Sequence, residues 1–182
     1  MKREGELLML EFLTNVMKLT LILIFLISSI TKLSNLKNFV NGVIEYNVVP
    51  RNLSRFYGYS LPFIELVSSV MIFFHKSSYY GLALTLLMLV SFFIAVSKVI
   101  KSKRVITCSC FGNFLDSKVD LFSIYRIGAL IVLNVLAIIL SILYSSNFSA
   151  TSLIFSVVIV LIYLLSQIIW NEYRKNIKLL ET

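Results

Sequence analysis

Long apolar runs separated by short charged segments dominate this 182-residue chain. A bilayer core is crossed by about 20 apolar residues in helical form. Residues 12–31 supply one such run, broken only by Lys18, which is read as lying near one end and snorkelling to the headgroups. Residues 57–74 supply a second, with the single charge Glu65 near its middle, and residues 79–98 a third. From Ile127 to Asn171 no formal charge occurs over 45 residues. One helix of that length would reach roughly 68 Å, over twice the hydrocarbon thickness. It must fold back, and Ser145-Ser146-Asn147-Phe148-Ser149 is the turn-forming break. The spans are therefore 12–31, 57–74, 79–98, 126–145 and 150–170. The predicted fold is all-α: a single polytopic transmembrane bundle, a four-span core plus a fifth C-terminal span.

A different period appears between the first two spans. Leu36, Phe39, Val40, Val43 and Ile44 recur at helical spacing while Lys37, Asn38, Asn41 and Glu45 face away. This predicts a short amphipathic helix over 36–48, stopped by Pro50, which cannot continue the hydrogen-bond ladder. Too short to span, it lies at the interface or tucks back into the bundle. The N-terminus mixes both charge signs and lacks a small-residue cleavage site, so the first run reads as a retained span rather than a cleaved signal.

Composition agrees with this picture. Hydrophobic residues make up 58% and charged residues 14%, against about 25% charged in a soluble domain. The formal charge of +8 sits between hydrophobic runs, where it marks loops and contact with anionic lipid rather than nucleic acid. Of the 17 basic residues, only Lys2, Arg3, Lys18 and Lys76 fall on one side of a five-span arrangement. The positive-inside rule then places the segment 101–122 and the C-terminus in the cytoplasm.

That segment holds the only two cysteines, in the run Cys108-Ser109-Cys110-Phe111-Gly112. Two thiols one residue apart can form a reversible disulfide in a small, strained and hence oxidising ring. Lys101, Lys103 and Arg104 favour the reactive thiolate, and Gly112 admits close approach of a partner. Two other readings stand beside this one. The cysteines can be ordinary reduced thiols in a loop, or half of a zinc site shared between protomers. Two thiolates leave a tetrahedral site incomplete, and the lone His75 is distant in sequence, so no metal site is assigned.

Three charged residues accompany the pair. A mid-span carboxylate such as Glu65 is expected to face the bundle interior, either relaying protons or ion-paired with Lys32 or Arg126. Arg126 opens the fourth span, where it can stabilise a thiolate or developing oxyanion, or simply anchor the helix end.

In order, Thr31-Lys32-Leu33, Phe39 and Val43, Tyr46 to Pro50, Leu61-Pro62-Phe63-Ile64-Glu65, the cysteine run and Arg126 resemble the MauE family, related to DoxX-like membrane proteins, over residues 14 to 145. The resemblance implies a redox-associated protein of the cell membrane that supports disulfide formation or protein maturation. Its partner would be a thioredoxin-fold or TlpA-like protein, or a secreted thiol substrate. In function it looks like the quinone-linked thiol oxidases of the DsbB and VKOR type, with a membrane quinone as the implied cofactor. It departs from them in having one cysteine pair where they relay through two, so any electron path runs directly from the pair to a membrane carrier. Cys108 and Cys110 are the implied redox pair; Glu65, Arg126 and Lys32 are supporting candidates. An oxidase of this kind needs its cysteines outside, against the charge distribution, and the functional criterion favours the outward arrangement. The competing class is a scaffold, peptide-immunity protein or small-solute transporter with incidental cysteines.

Overall fold

In a computed structural model, residues 2–46, 50–101, 107–108, 117–118, 121–143 and 149–180 are described. Among them six α-helices occur: α1 (Lys2–Ser34), α2 (Leu36–Glu45), α3 (Arg51–Phe73), α4 (Ser78–Lys101), α5 (Leu121–Leu143) and α6 (Ala150–Leu180). A short 3-10 turn over His75–Ser77 joins α3 to α4. Two-residue strands β1 (Thr107–Cys108) and β2 (Ser117–Lys118) pair antiparallel between α4 and α5.

Five of the helices are long and apolar enough to cross a membrane: Gly5–Ser34, Arg51–Phe73, His75–Lys101, Phe122–Leu143 and Ala150–Trp170. The chain is a multi-pass membrane protein. Its outer surface carries Leu87, Ile142, Ile154 and Ile169, all more than half exposed. That is how a bundle meets lipid, where apolar surface needs no cover and only backbone polarity must be satisfied internally.

The helix ends differ from the apolar windows for a simple reason. Hydropathy marks the stretch within hydrocarbon, whereas the backbone ladder continues into the charged flanks. α1 therefore begins at Lys2 rather than near residue 12. This relocates Lys18 to the middle of a 33-residue helix, where it is 3% exposed. It is a buried interior cation, not a snorkelling end group, so it carries no weight in the sidedness count.

Pro50 is the second correction. α2 ends at Glu45, well before it, and Pro50 instead precedes α3, whose first bond runs from the Ser54 amide to the Pro50 carbonyl at 2.9 Å. Proline's fixed φ and missing N–H suit a helix start as well as a stop. The amphipathic reading of α2 stands: Phe39 and Val40 are buried against the bundle while Lys37, Asn38, Asn41 and Glu45 are exposed. Residues 47 and 48, included in the expected helix, lie outside the described residues.

α1 is the central helix, touching α3, α5 and α6 and, at its end, α2. Leu21, Ile72, Leu82, Val96 and Ala137 form the driest part of the core. Small residues set the closest crossings, as expected where lipid offers no hydrophobic drive between helices. A Cβ on Gly81 would lie 2.7 Å from the Ile72 amide nitrogen and 2.9 Å from the Ser68 carbonyl, so α3 and α4 meet there backbone to backbone. Two hydroxyl contacts add polar links: Tyr57 with Ser91 at 2.6 Å, and the Asn134 side-chain amide donating to Thr85 at 2.6 Å. The fifth span is held at both ends, by Phe12 against Phe155 edge-on at 5.6 Å and by Phe122 stacked on Trp170 at 4.7 Å.

Candidate functional site

Helix direction decides which residues share an end of the bundle. α1 ends, α3 begins, α4 ends and α5 begins on the same side, so Lys32, Arg51, Lys101 and Arg126 gather there. The segment 102–120, with both cysteines, joins α4 to α5 at that end. Cys108 lies in β1, its backbone opposite Ser117. Cys110 lies outside the described residues. His75 sits in the turn at the opposite end, exposed.

In the half of the bundle where α4 ends and α5 begins lies a buried ion pair. Lys32, in the last turn of α1, meets Glu65 of α3. The two are 2% and 1% exposed, the most enclosed charged groups among the described residues. Glu65 Oε1 takes the Lys32 ammonium, and Ser28 donates its hydroxyl to Oε2 at 3.3 Å. The ammonium also faces two aromatic rings, Phe92 at 4.9 Å and Phe39 at 5.2 Å from the centroids. Each ring offers its negative face to the cation. The amphipathic α2 is thus not an idle connector: through Phe39 it closes one side of the pair.

Local sequence explains why Glu65 can be there. Pro62, one turn earlier in α3, has no N–H to bond the Gly58 carbonyl, and its own carbonyl accepts from Ser29 of α1 at 2.8 Å. Ser68 and Ser69 both donate to the Glu65 carbonyl at 2.8 Å. The Ser29–Pro62 bond ties α1 to α3 about one turn from the Lys32–Glu65 bridge. A lone charge at mid-bilayer is costly by about 2.5–3.5 kcal/mol even on insertion scales. An opposite charge, a hydroxyl and two rings offset part of that cost.

Beside the pair is a cavity of about 60 Å³, walled by Ser28, Lys32, Glu65, Arg126 and, from the last helix, Tyr163. At about 30 Å³ per water it has room for roughly two waters. Of the residues picked out in the sequence, Lys32, Glu65 and Arg126 therefore surround one space. Glu65 pairs with Lys32, the first of the two partners weighed for it. Arg126 is half-buried, contributing to the wall from the second turn of α5.

Three contributors were not singled out in the sequence. Ser28 sits in a uniformly apolar run, Phe92 is one of many span aromatics, and Tyr163 lies in the final span. Only Tyr163 carried any signal, as a lone hydroxylated ring amid aliphatic residues.

A family model described as methylamine utilisation protein MauE matches residues 10–144, well over half of the chain. No curated protein matches, and no solved structure does. The matched stretch takes in the cysteine run, Lys32, Glu65 and Arg126, and stops before Tyr163.

Proposed function

The chain belongs to the MauE family, and on that premise we propose that it is a membrane thiol–disulfide exchange protein whose working pair is Cys108 and Cys110. The observation that carries this reading is positional. The segment bearing the only two cysteines of the chain joins α4 to α5 at the bundle end that also holds the Lys32–Glu65 pair and Arg126.

The chemistry balances as follows. A thiolate of a thioredoxin-fold, TlpA-like or secreted partner attacks the Cys108–Cys110 disulfide, breaking one S–S bond and forming a mixed disulfide. The partner's second thiolate then attacks the mixed bond, leaving the partner oxidised and Cys108 and Cys110 as a dithiol. Cations at this end, Lys101 and Arg126 among them, favour the departing thiolate. Glu65 and Lys32 form a buried acid–base couple for the accompanying protons. Returning the pair to its disulfide takes two electrons and two protons away, and a membrane quinone is the acceptor in this reading. The site is an extracytoplasmic one, and the membrane the cell membrane, because disulfides persist outside.

The test is direct. Cys108→Ser and Cys110→Ser are each expected to abolish partner oxidation while membrane insertion stays intact, read by an alkylation mobility shift of the partner's thiols. An unchanged partner redox state in both variants overturns the proposal and leaves the cysteines incidental. A membrane-impermeant thiol reagent, applied before and after lysis, reports the side on which the pair lies.

A further inference from the structure

Oxidising a dithiol releases two electrons and two protons, and a chain with only two cysteines has no second pair to hold them. The acceptor must be a separate two-electron molecule that reaches the cysteine end of the bundle. Beside an open groove of about 440 Å³ lined by residues of α3 alone, two cavities formed between helices lie in that half. The one beside the ion pair, at about 60 Å³, is too small for a ring, since a benzene molecule occupies an engineered cavity of about 150 Å³. The other, at about 250 Å³, lies between α2, α3 and α4 and is walled by Tyr46, Tyr57, Leu61, Ser91, Phe92 and Ala95 among others.

We infer that this second cavity seats the ring of a lipid-soluble quinone; the inference rests on the thiol-exchange reading above. Four observations favour that occupant. The walls are mostly apolar, with aromatic rings that suit stacking or edge contact with a planar molecule. The rim carries Leu53 and Tyr57, 55% and 39% exposed on the membrane-facing surface, so a molecule dissolved in lipid enters without crossing the bundle.

The hydroxyl chemistry fits both redox states of such a ring. Ser91 donates to the Met88 carbonyl at 2.8 Å, so the Tyr57 hydroxyl at 2.6 Å donates to Ser91. The Tyr57 oxygen remains an acceptor for the hydroxyl of a reduced ring. Rotated away from Ser91, the same O–H donates to a carbonyl of the oxidised ring.

Position is the fourth. Phe92 walls both cavities, and the Lys32 ammonium lies 4.9 Å from its centroid. One aromatic side chain therefore separates the ring site from the buried acid–base couple. Ala95 is six residues before the end of α4 at Lys101, about 9 Å along the axis, and the cysteine segment starts there. In the balanced step the Cys108/Cys110 dithiol becomes a disulfide, and both electrons and both protons pass to the quinone, which leaves as quinol.

The experiment uses the full chain in detergent, its cysteines reduced and the reductant removed, with a short-tailed benzoquinone as probe. Reoxidation is followed by thiol alkylation and by quinone absorbance. Ala95→Trp fills the cavity and is expected to slow quinone-driven reoxidation about tenfold relative to exchange with a thioredoxin-type dithiol, the factor for 1.4 kcal/mol of lost binding. On the unmodified protein, an azido-benzoquinone is expected to label peptides around Tyr57 and Phe92. Equal slowing of both steps, or labelling confined to other helices, overturns the assignment of the site while exchange itself stands. Exchange with the dithiol but no reoxidation by quinone overturns the carrier. Absence of exchange overturns the thiol reading, and this inference with it.

Discussion

The two ends of the bundle hold their helices together by different means. At the cysteine end an ionic link joins the hydroxyl links Tyr57–Ser91 and Ser29–Pro62: Lys32 with Glu65, enclosed by Phe39 and Phe92, with Arg126 on the same cavity. Towards the far end the links are neutral, with Asn134 bonded to Thr85 and the backbones of α3 and α4 meeting at Gly81. Neutral contacts suffice where helices need only stay together. Buried charge is held at the end where α4 is joined to α5 through the cysteine segment, and it leaves that end dependent on a few partners.

The largest effect should come from unbalancing the ionic end. Glu65→Ala leaves the Lys32 ammonium buried without its carboxylate, and breaking such a pair costs about 3–5 kcal/mol. The expected result is a sharply lowered melting temperature in detergent. Making that end neutral, with Lys32→Met and Glu65→Leu together, should restore most of the loss, because an apolar replacement of a buried pair is often neutral or stabilising. A double variant no more stable than Glu65→Ala alone would show that the charges do more than balance each other.

A smaller loss is expected from the close crossing towards the far end. Gly81→Leu drives side-chain atoms into the Ile72 and Ser68 backbone, and overpacking of this kind costs about 1–3 kcal/mol. Unfolding in a denaturing detergent should shift accordingly, and an unchanged midpoint would mean that the helices separate freely there. The smallest change belongs to the neutral link. Asn134→Leu removes the bond to Thr85, and hydrogen bonds between membrane helices average about 0.6 kcal/mol. Because the Asn134 side-chain oxygen has no partner among the described residues, the loss should fall at or below that value by the same unfolding measurement. A loss near that of Glu65→Ala would erase the distinction between the two ends.

How much of this was legible in the sequence depends on what each feature rests upon. The five spans are visible because an uncharged run of that length has few other homes. The amphipathic α2 is visible because Phe39, Val40 and Val43 keep a helical period. Glu65 announces itself as a mid-span charge, and two candidate partners could be named for it. Choosing Lys32 required knowing that α1 and α3 cross near Ser29 and Pro62, which is a property of packing.

The place of Lys18 is not legible in hydropathy, because the apolar run ends near residue 12 whereas α1 continues to Lys2. Pro50 is ambiguous by nature, since the same ring that ends one helix begins another. Tyr163 was missed for a different reason: the buried Ser152, Ser156 and Gln167 share its helical face, but such small or neutral polar groups amid aliphatic residues make a weak stripe. The cysteine run is the reverse case: conspicuous in sequence, yet described only at the backbone of Cys108.

The Lys32–Glu65 bridge also imposes an order of assembly. The two residues are 33 positions apart, and at about 5–20 residues per second a ribosome takes roughly two to seven seconds to make the second after the first. During that interval α1 carries a cation with no carboxylate to meet it, on a helix that already bears Lys18. The enclosed setting of Lys32 is therefore completed only once α3 has been made.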